Sequence, residues 1–390
     1  HPAEWVMLPA NARVRHPIIE ERILSLKSLS DSSAFNSIEM GDPSLGIISS
    51  GVAYQYAKEA FPDASFLKLG MSYPLPEELI RDFASRVREL WVVEELDPFM
   101  EDQVKALGIS CRGKDRLPMC GELNPDIIRD AIAGGRPEAV EERKLPPRPP
   151  SMCPGCPHRS LLWALKRNKC FIAGDIGCYT LGFLPPLDAI DTTLCMGAGI
   201  NHAHGMAKAF GPGKEKITAV IGDSTFYHSG ITGLLNLAYN NGTALVVILD
   251  NSTTAMTGSQ NHPGTGVTIR GEQTISLDLE NLVKSLGIGW VRTVDPYDVK
   301  KTRKDIKEAL AHDGPSVIIS KAPCVLLKSR KVSGRALTVD TDTCTGCKVC
   351  IGLGCPAIEF RDEKAYISDM CVGCGVCAEL CAPGAIGGEK

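Results

Sequence analysis

The chain has 390 residues, 44% of them apolar and 23% charged, with a formal net charge of -4. That is room for two or three domains with ordinary buried cores, and it excludes a disordered tail, a collagen-like chain and a small stapled toxin. The near-balanced charge argues against nucleic acid as the main partner.

Taken in order, the chain opens without an initiator methionine and without a basic stretch followed by an apolar one, so nothing resembles a signal peptide. Residues 1–40 read as a tail with one helix around 16–29, which is no complete domain and suggests a fragment or a processed chain. Over 41–140, β-rich runs at 46–49, 65–69 and 90–93 alternate with helix-like stretches at 76–87 and 98–107, a pattern that implies a parallel sheet. The stretch 141–150, with Pro146, Pro147, Pro149 and Pro150, reads as a stiff linker and a domain boundary.

A second α/β block is expected over 151–331, with strands at 171–173, 217–221, 244–249, 289–294 and 316–320 and helices near 198–210, 226–240, 277–286 and 298–311. The longest plausible apolar run, Ala244 to Leu249, is too short to span a bilayer. The loop 250–271 is long and aperiodic, and such loops usually carry function. A basic run of Lys321, Lys328, Arg330, Lys331 and Arg335 has no intervening acid, and reads as solvated surface or as a docking point for an acidic partner or a phosphate-bearing ligand. From 332 to 390 the composition shifts to cysteine and glycine, and so small a module needs bound metal to help it fold.

Of the 16 cysteines, half fall between Cys344 and Cys381. No leader or membrane span is apparent, which points to a cytoplasmic, reducing setting where thiols bind metal more often than they form disulfides. The spacing is Cys344-x2-Cys347-x2-Cys350-x4-Cys355-Pro356 followed by Cys371-x2-Cys374-x2-Cys377-x3-Cys381. Three cysteines so spaced wrap one face of a cubane cluster while the fourth reaches the other cluster. The expected sets are therefore crossed: Cys344, Cys347, Cys350 and Cys381 for one 4Fe-4S cluster, and Cys371, Cys374, Cys377 and Cys355 for a second. Structural zinc and disulfides are the alternatives, and neither explains two triplets each followed by a lone cysteine. The longer gap before Cys355 bears on local geometry and potential rather than on ligation.

In the second block, Gly222-Asp223-Ser224 follows one predicted strand and Asp250-Asn251-Ser252 the next, which places both motifs where open α/β sheets bind ligands. Asp and Asn oxygens suit Mg2+, which in turn binds a diphosphate. Upstream, Gly197 and Gly199 precede a helix whose open amides could receive phosphate oxygens. An ordinary strand-end turn is the alternative. The layout resembles the thiamine diphosphate motif, although it departs from the strict pattern at both ends. That resemblance implies Mg2+ held by the Asp223 side chain, the Asn251 side chain and the Thr253 main-chain carbonyl.

A third set of cysteines comprises Cys153 and Cys156 at the opening of this block, Cys178 after its first strand and Cys324 after its last. Either the four converge beside the cofactor, or Cys153 and Cys156 bind some other metal while Cys178 and Cys324 are buried thiols. Cys111, Cys120, Cys170 and Cys195 are left over and read as buried small residues, with Cys195 the substitute should Cys324 not be a ligand.

Here the resemblance becomes specific. Cys153-Pro154-Gly155-Cys156-Pro157-His158, Gly174-Asp175-Ile176-Gly177-Cys178, the run Gly222 to Gly230, Thr257-Gly258-Ser259-Gln260 and the tandem cysteine motif are similar to the 2-oxoacid:ferredoxin oxidoreductases, most closely to alpha subunits of the indolepyruvate type. The similarity covers nearly the whole chain. It implies a transketolase C-terminal-like domain over 41–140, a thiamine diphosphate-binding α/β domain over 151–331 and a ferredoxin-like module over 332–390. It also implies a third 4Fe-4S cluster on Cys153, Cys156, Cys178 and Cys324. Trp5 to Arg13 resembles the end of a pyrimidine-binding domain, and the rest of that domain is absent from this sequence.

The implied activity is oxidative decarboxylation of aryl pyruvates such as indolepyruvate to aryl-acetyl-CoA, with electrons passing to an external ferredoxin. The implied partners are a smaller beta subunit, the pyrimidine-binding domain, ferredoxin, CoA and the 2-oxoacid, with neither nucleic acid nor membrane. Met256 stands where pyruvate-using relatives carry a polar amide and would suit an aromatic substrate, unless it merely packs. His228 could reach substrate or cofactor, or serve only as a helix-face residue. The competing readings are an oxidoreductase for pyruvate or another 2-oxoacid, and a non-catalytic electron-transfer or scaffold subunit.

Overall fold

Strands flanked by helices on both sides must bury both faces, so they read as continuous apolar runs, and each half of the chain builds such a sheet. The computed structural model describes residues 1–134, 146, 148–211, 216–327 and 334–388. The chain divides into two units, His1–Pro146 and Pro147–Lys390. Most of the expected proline-rich linker, and Lys328, Arg330 and Lys331 of the basic run, lie outside the described residues. Among the described residues no helix is long and apolar enough to cross a membrane.

In the first unit the helix Pro9–Ser32 is longer than its sequence pattern suggests and buries only Ser30. Its end is tied to the next domain element by Asp31, which accepts the Glu78 and Leu79 amides at 3.0 and 3.1 Å and so caps the helix Glu77–Ser85. The sheet runs Ser37–Glu39, Ala64–Leu69, Asp42–Ser50, Glu89–Val93, parallel except for its first strand. One face packs Ile47, Phe66 and Trp91 against Gly51–Ala60 and Pro125–Ala133, and the other packs Ile48, Leu67 and Val92 against Glu77–Ser85 and Phe99–Ala106.

The second unit carries a six-stranded parallel sheet in the order Thr192–Thr193, Phe171–Gly174, Ile217–Gly222, Leu245–Asp250, Ser316–Lys321, Trp290–Val294. Helices Ala198–Phe210, Ile231–Tyr239 and Leu279–Ser285 cover one face, and Pro157–Arg167 and Val299–Ala311 the other. The helix expected over 226–240 is interrupted. A short turn Asp223–Thr225 leads into a π turn, Phe226–Gly230, closed by the Ile231 amide on the Phe226 carbonyl, before the regular helix begins. Such π turns recur at functional sites because the extra residue re-aims the side chains around it.

The cysteine-rich module is not a satellite. Its Cys350, Leu353, Cys377 and Ile386 share one apolar cluster with Leu161, Trp163 and Val299 of the sheet's helices. The module thus draws on a core shared with the sheet's helices rather than on one of its own. Glu379 of the module accepts the Val299 and Lys300 amides at 2.9 and 2.8 Å, satisfying open donors at the start of a sheet-covering helix.

Candidate functional site

Three neighbouring strands, Phe171–Gly174, Ile217–Gly222 and Leu245–Asp250, end on the same edge and deliver Asp175, Asp223 and Asn251 side by side. Asp223 is buried. Its Oδ1 accepts the Ser224 amide at 2.7 Å, and its Oδ2 accepts the amides of Asn251 at 3.1 Å and Ser252 at 2.9 Å. Asn251 Oδ1 accepts the Thr253 amide at 3.2 Å. That tight return is made by Ser252 in the left-handed region at φ 61°, steadied by its amide on Asp250 Oδ1 at 3.1 Å. Asp223 Oδ1 and Asn251 Oδ1 each accept a single bond and keep a lone pair. Two hard oxygens with spare capacity, beside the Thr253 main chain, fit a Mg2+ ion that carries a diphosphate.

Two buried histidines flank these donors. His158 Nε2 stands 3.2 Å from Asn251 Nδ2, with its ring edge-on to Tyr179. His262 Nδ1 accepts the Gly264 amide at 3.2 Å, so its proton is on Nε2, 3.2 Å from Asp223 Oδ2. The angle there falls outside hydrogen-bond geometry, which leaves Nε2 without a bonding partner, and the ring is held by stacking on Tyr227 at 5.5 Å.

Gly197 and Gly199 sit at the start of the helix Ala198–Phe210, as expected, but their amides are not open to phosphate. Both donate to Asp175 Oδ2, at 2.8 and 3.3 Å, while Asp175 Oδ1 takes the Ile176 amide at 2.8 Å. Asp175 is fully buried, and burial raises its carboxyl above the ordinary range. The Gly222 amide is likewise taken, by the Tyr179 hydroxyl at 2.9 Å. Ser224 stands free enough to accept the Thr254 hydroxyl at 2.8 Å. The cleft beside Asp223 and Asn251 is walled by Cys178, Tyr179, Met196 and Met256. Met256 is half exposed on that wall, whereas His228, exposed on the π turn, is not part of it.

The cysteines gather in three groups. A small void in the module is bounded by Cys344, Cys347, Cys350 and Cys381. A second is bounded by Cys355, Cys374 and Cys377 with Cys156 at its edge, and the Cys377 thiol, pushed up to about 12 by burial, also feels Cys374, Cys371, Cys355 and Cys350. In the sheet domain, burial pushes Cys156 up to about 12, with Cys178 and Cys153 adding to the rise, and Cys178 in turn feels Cys324 and Cys153. The Cys324 amide donates to the Asn251 carbonyl at 2.9 Å, so this group abuts the turn that carries Asn251 and Thr253. Buried thiols that resist ionisation in water-free surroundings are ready ligands for iron, whose charge inverts that preference. Cys195 and Cys120 are exposed, contrary to the expectation that they are buried. Among the described residues no three His, Cys, Asp or Glu side chains close around a single metal ion.

A family profile described as thiamine pyrophosphate enzyme, C-terminal TPP binding domain, matches residues 175–320. The indolepyruvate oxidoreductase subunit IorA of Archaeoglobus fulgidus is 41% identical over 396 residues, 94% of this chain and 63% of its own length. That of Thermococcus kodakarensis is 41% identical over 408 residues, 93% and 63% of the two chains. That of Methanothermobacter marburgensis is 38% identical over 416 residues, 99% of this chain and 67% of its own. The chain belongs to the IorA family of indolepyruvate oxidoreductase subunits. It spans about two thirds of the length of these IorA relatives.

Residue patterns alone assign no role to Asp175, Tyr179, His158 or His262. Asp175 and His158 stand inside motifs that carry the resemblance, and a strand-end Asp was a signal for the first. His262 lies in the aperiodic loop, where nothing in sequence announces a contact with Asp223.

Proposed function

We propose that this chain supplies the diphosphate-binding and electron-carrying part of a thiamine diphosphate-dependent oxidoreductase that converts aryl pyruvates to aryl-acetyl-CoA and passes electrons to ferredoxin. The observation that carries the reading is one cleft holding Asp223, Asn251 and Cys178 together, so that a cofactor donor pair and a cluster cysteine share a wall.

Thiamine diphosphate, when bound, supplies the electron sink that lets a 2-oxoacid lose carbon dioxide. In this reading Asp223, Asn251 and the Thr253 carbonyl hold Mg2+, and Ser224 and Thr254 line its rim. Met256 and Met196 keep water from an aromatic substrate side chain. Iron-sulfur clusters, when bound, carry electrons singly. Their ligand sets are Cys153, Cys156, Cys178 and Cys324 beside the cleft, then Cys355, Cys371, Cys374 and Cys377, then Cys344, Cys347, Cys350 and Cys381. Cys347 is exposed, which makes the last set the point of exit to ferredoxin. The smaller beta subunit and the pyrimidine-binding domain complete the enzyme, and CoA takes the acyl group.

Anaerobically purified protein tests this. About twelve irons per chain are expected for three clusters, and about eight would remove the set beside the cleft. Calorimetry should show thiamine diphosphate binding only with Mg2+, lost in D223N. Binding unchanged in D223N would refute the metal assignment. With the beta subunit and ferredoxin present, turnover should favour aryl over branched and short 2-oxoacids, and a preference for pyruvate would move the chain to another substrate class.

A further inference from the structure

Arg159 is 5% exposed, in the first turn of the helix Pro157–Arg167 and three residues beyond Cys156. Its guanidinium joins two segments. One nitrogen donates to the carbonyls of Leu353, at 3.0 Å, and Gly354 in the cysteine-rich module. The other donates to Met152 at 2.6 Å and Cys153 at 3.4 Å in the loop that carries the first cysteine pair. All four acceptors are neutral carbonyls, Nε has no hydrogen-bond partner, and among the described residues no carboxylate pairs with it.

A buried cation balanced only by dipoles is costly, and native proteins normally match such a charge with an opposite one. The carbonyls it holds lie in cysteine-bearing segments: Met152 and Cys153 beside Cys156 on one side, Leu353 and Gly354 beside Cys355 on the other. Arg159 also borders the void formed by Cys355, Cys374 and Cys377, as does Cys156. Thiolates of the two sets would therefore supply the opposing charge on either side of the guanidinium.

We propose that Arg159 is a shared counter-charge between two iron-sulfur clusters, the one beside the cleft and the one on Cys355, Cys371, Cys374 and Cys377. The inference rests on the cluster assignment above. Reduction adds one electron and no proton to a cluster, so a fixed positive charge at this boundary stabilises each reduced form and makes both easier to reduce. Arg159 acts through the clusters as a positioning residue. Lys keeps the charge but not the two-armed fit to four carbonyls, Gln keeps a donor without charge, and Met keeps only the volume.

The test is a spectroscopically monitored redox titration of the anaerobic holoenzyme as wild type, R159K, R159Q and R159M, with iron counted in each. R159Q and R159M should keep their iron yet show at least one cluster tenfold harder to reduce, about 59 mV more negative for one electron. R159K should stay near the wild type. Unchanged midpoints in iron-replete R159M overturn the proposal. Loss of iron from all three variants overturns it too, because the residue would then be a folding requirement and not a tuning charge. A wild type with no cluster signal fails the parent assignment instead, and iron counting tells the two failures apart.

Discussion

His158 Nε2 and Asn251 Nδ2 lie 3.2 Å apart, both residues buried, and the pair joins the first cysteine loop to the metal-donor turn. The amide nitrogen can only donate, so Nε2 must be unprotonated. Burial holds His158 near that state, lowering it to about 4. Its own backbone amide meanwhile bonds Cys156. One residue therefore contacts a thiol of the cleft-side group and orients the Asn251 side chain, whose oxygen is the proposed Mg2+ donor. Replacing it by Phe removes the acceptor and strands a buried donor, which should cost about 1–3 kcal/mol in denaturant unfolding and weaken Mg2+-dependent thiamine diphosphate binding. H158Q offers an oxygen in place of the ring nitrogen and should recover part of both. Equal behaviour of the two variants would count against an acceptor role.

Asp175 predicts a pH signature. Its carboxyl is raised by burial, although the amides of Ile176, Gly199 and Gly197 oppose the rise. In the window between the ordinary Asp value and the raised one, the folded chain holds a proton that the unfolded chain has lost. Stability contributed by this group is therefore complete at acid pH and declines as pH rises through that window. D175N cannot titrate and gives up one acceptor oxygen, so it should be less stable than the wild type by about 1–3 kcal/mol at the acid end, with the gap narrowing as pH rises. Denaturant unfolding followed from below the ordinary Asp value upward in pH measures it. Parallel curves for the two proteins would show that Asp175 does not titrate there.

Glu379 makes the cysteine-rich module testable as part of the second unit. Its two oxygens hold the Val299 and Lys300 amides, and the helix Val299–Ala311 is thereby capped from another segment. E379A should destabilise the unit by about 1–2 kcal/mol and speed hydrogen exchange at those two amides. E379Q should lose less, since one amide oxygen remains. Exchange at Val299 and Lys300 unaffected by E379A would show that the cap is not maintained in solution.

Much of this was legible in sequence because it follows from local chemistry. Apolar strand runs and the strand-end placement of Asp223 and Asn251 reappear in the structure; one void is lined by Cys344, Cys347, Cys350 and Cys381, another by Cys355, Cys374 and Cys377 together with Cys156. What was not legible depends on contacts remote in the chain. Gly197 and Gly199 looked like a phosphate cradle because a helix start leaves amides open, but Asp175, over twenty residues upstream, fills it. His262 and Arg159 carry no periodic or spacing signal, since their meaning lies in partners at Asp223 and at Leu353 and Gly354. The two-residue strand Thr192–Thr193 is too short to leave a pattern.

The crossed cysteine sets give the last prediction. Cys381 stands with Cys344, Cys347 and Cys350 around one void, although it follows the second triplet in sequence. Cys355 stands with Cys374 and Cys377, although it follows the first. Linear assignment would pair Cys355 with Cys350, and crossed assignment pairs it with Cys377. Serine is a poor substitute for a thiolate, so each variant should perturb or lose one cluster. Electron paramagnetic resonance of reduced C355S and C377S should therefore show the same signal missing, with the remaining signals intact. C381S and C344S should lose the complementary signal. If C355S instead matches C344S, the sets are not crossed, and the voids seen here do not mark the cluster positions.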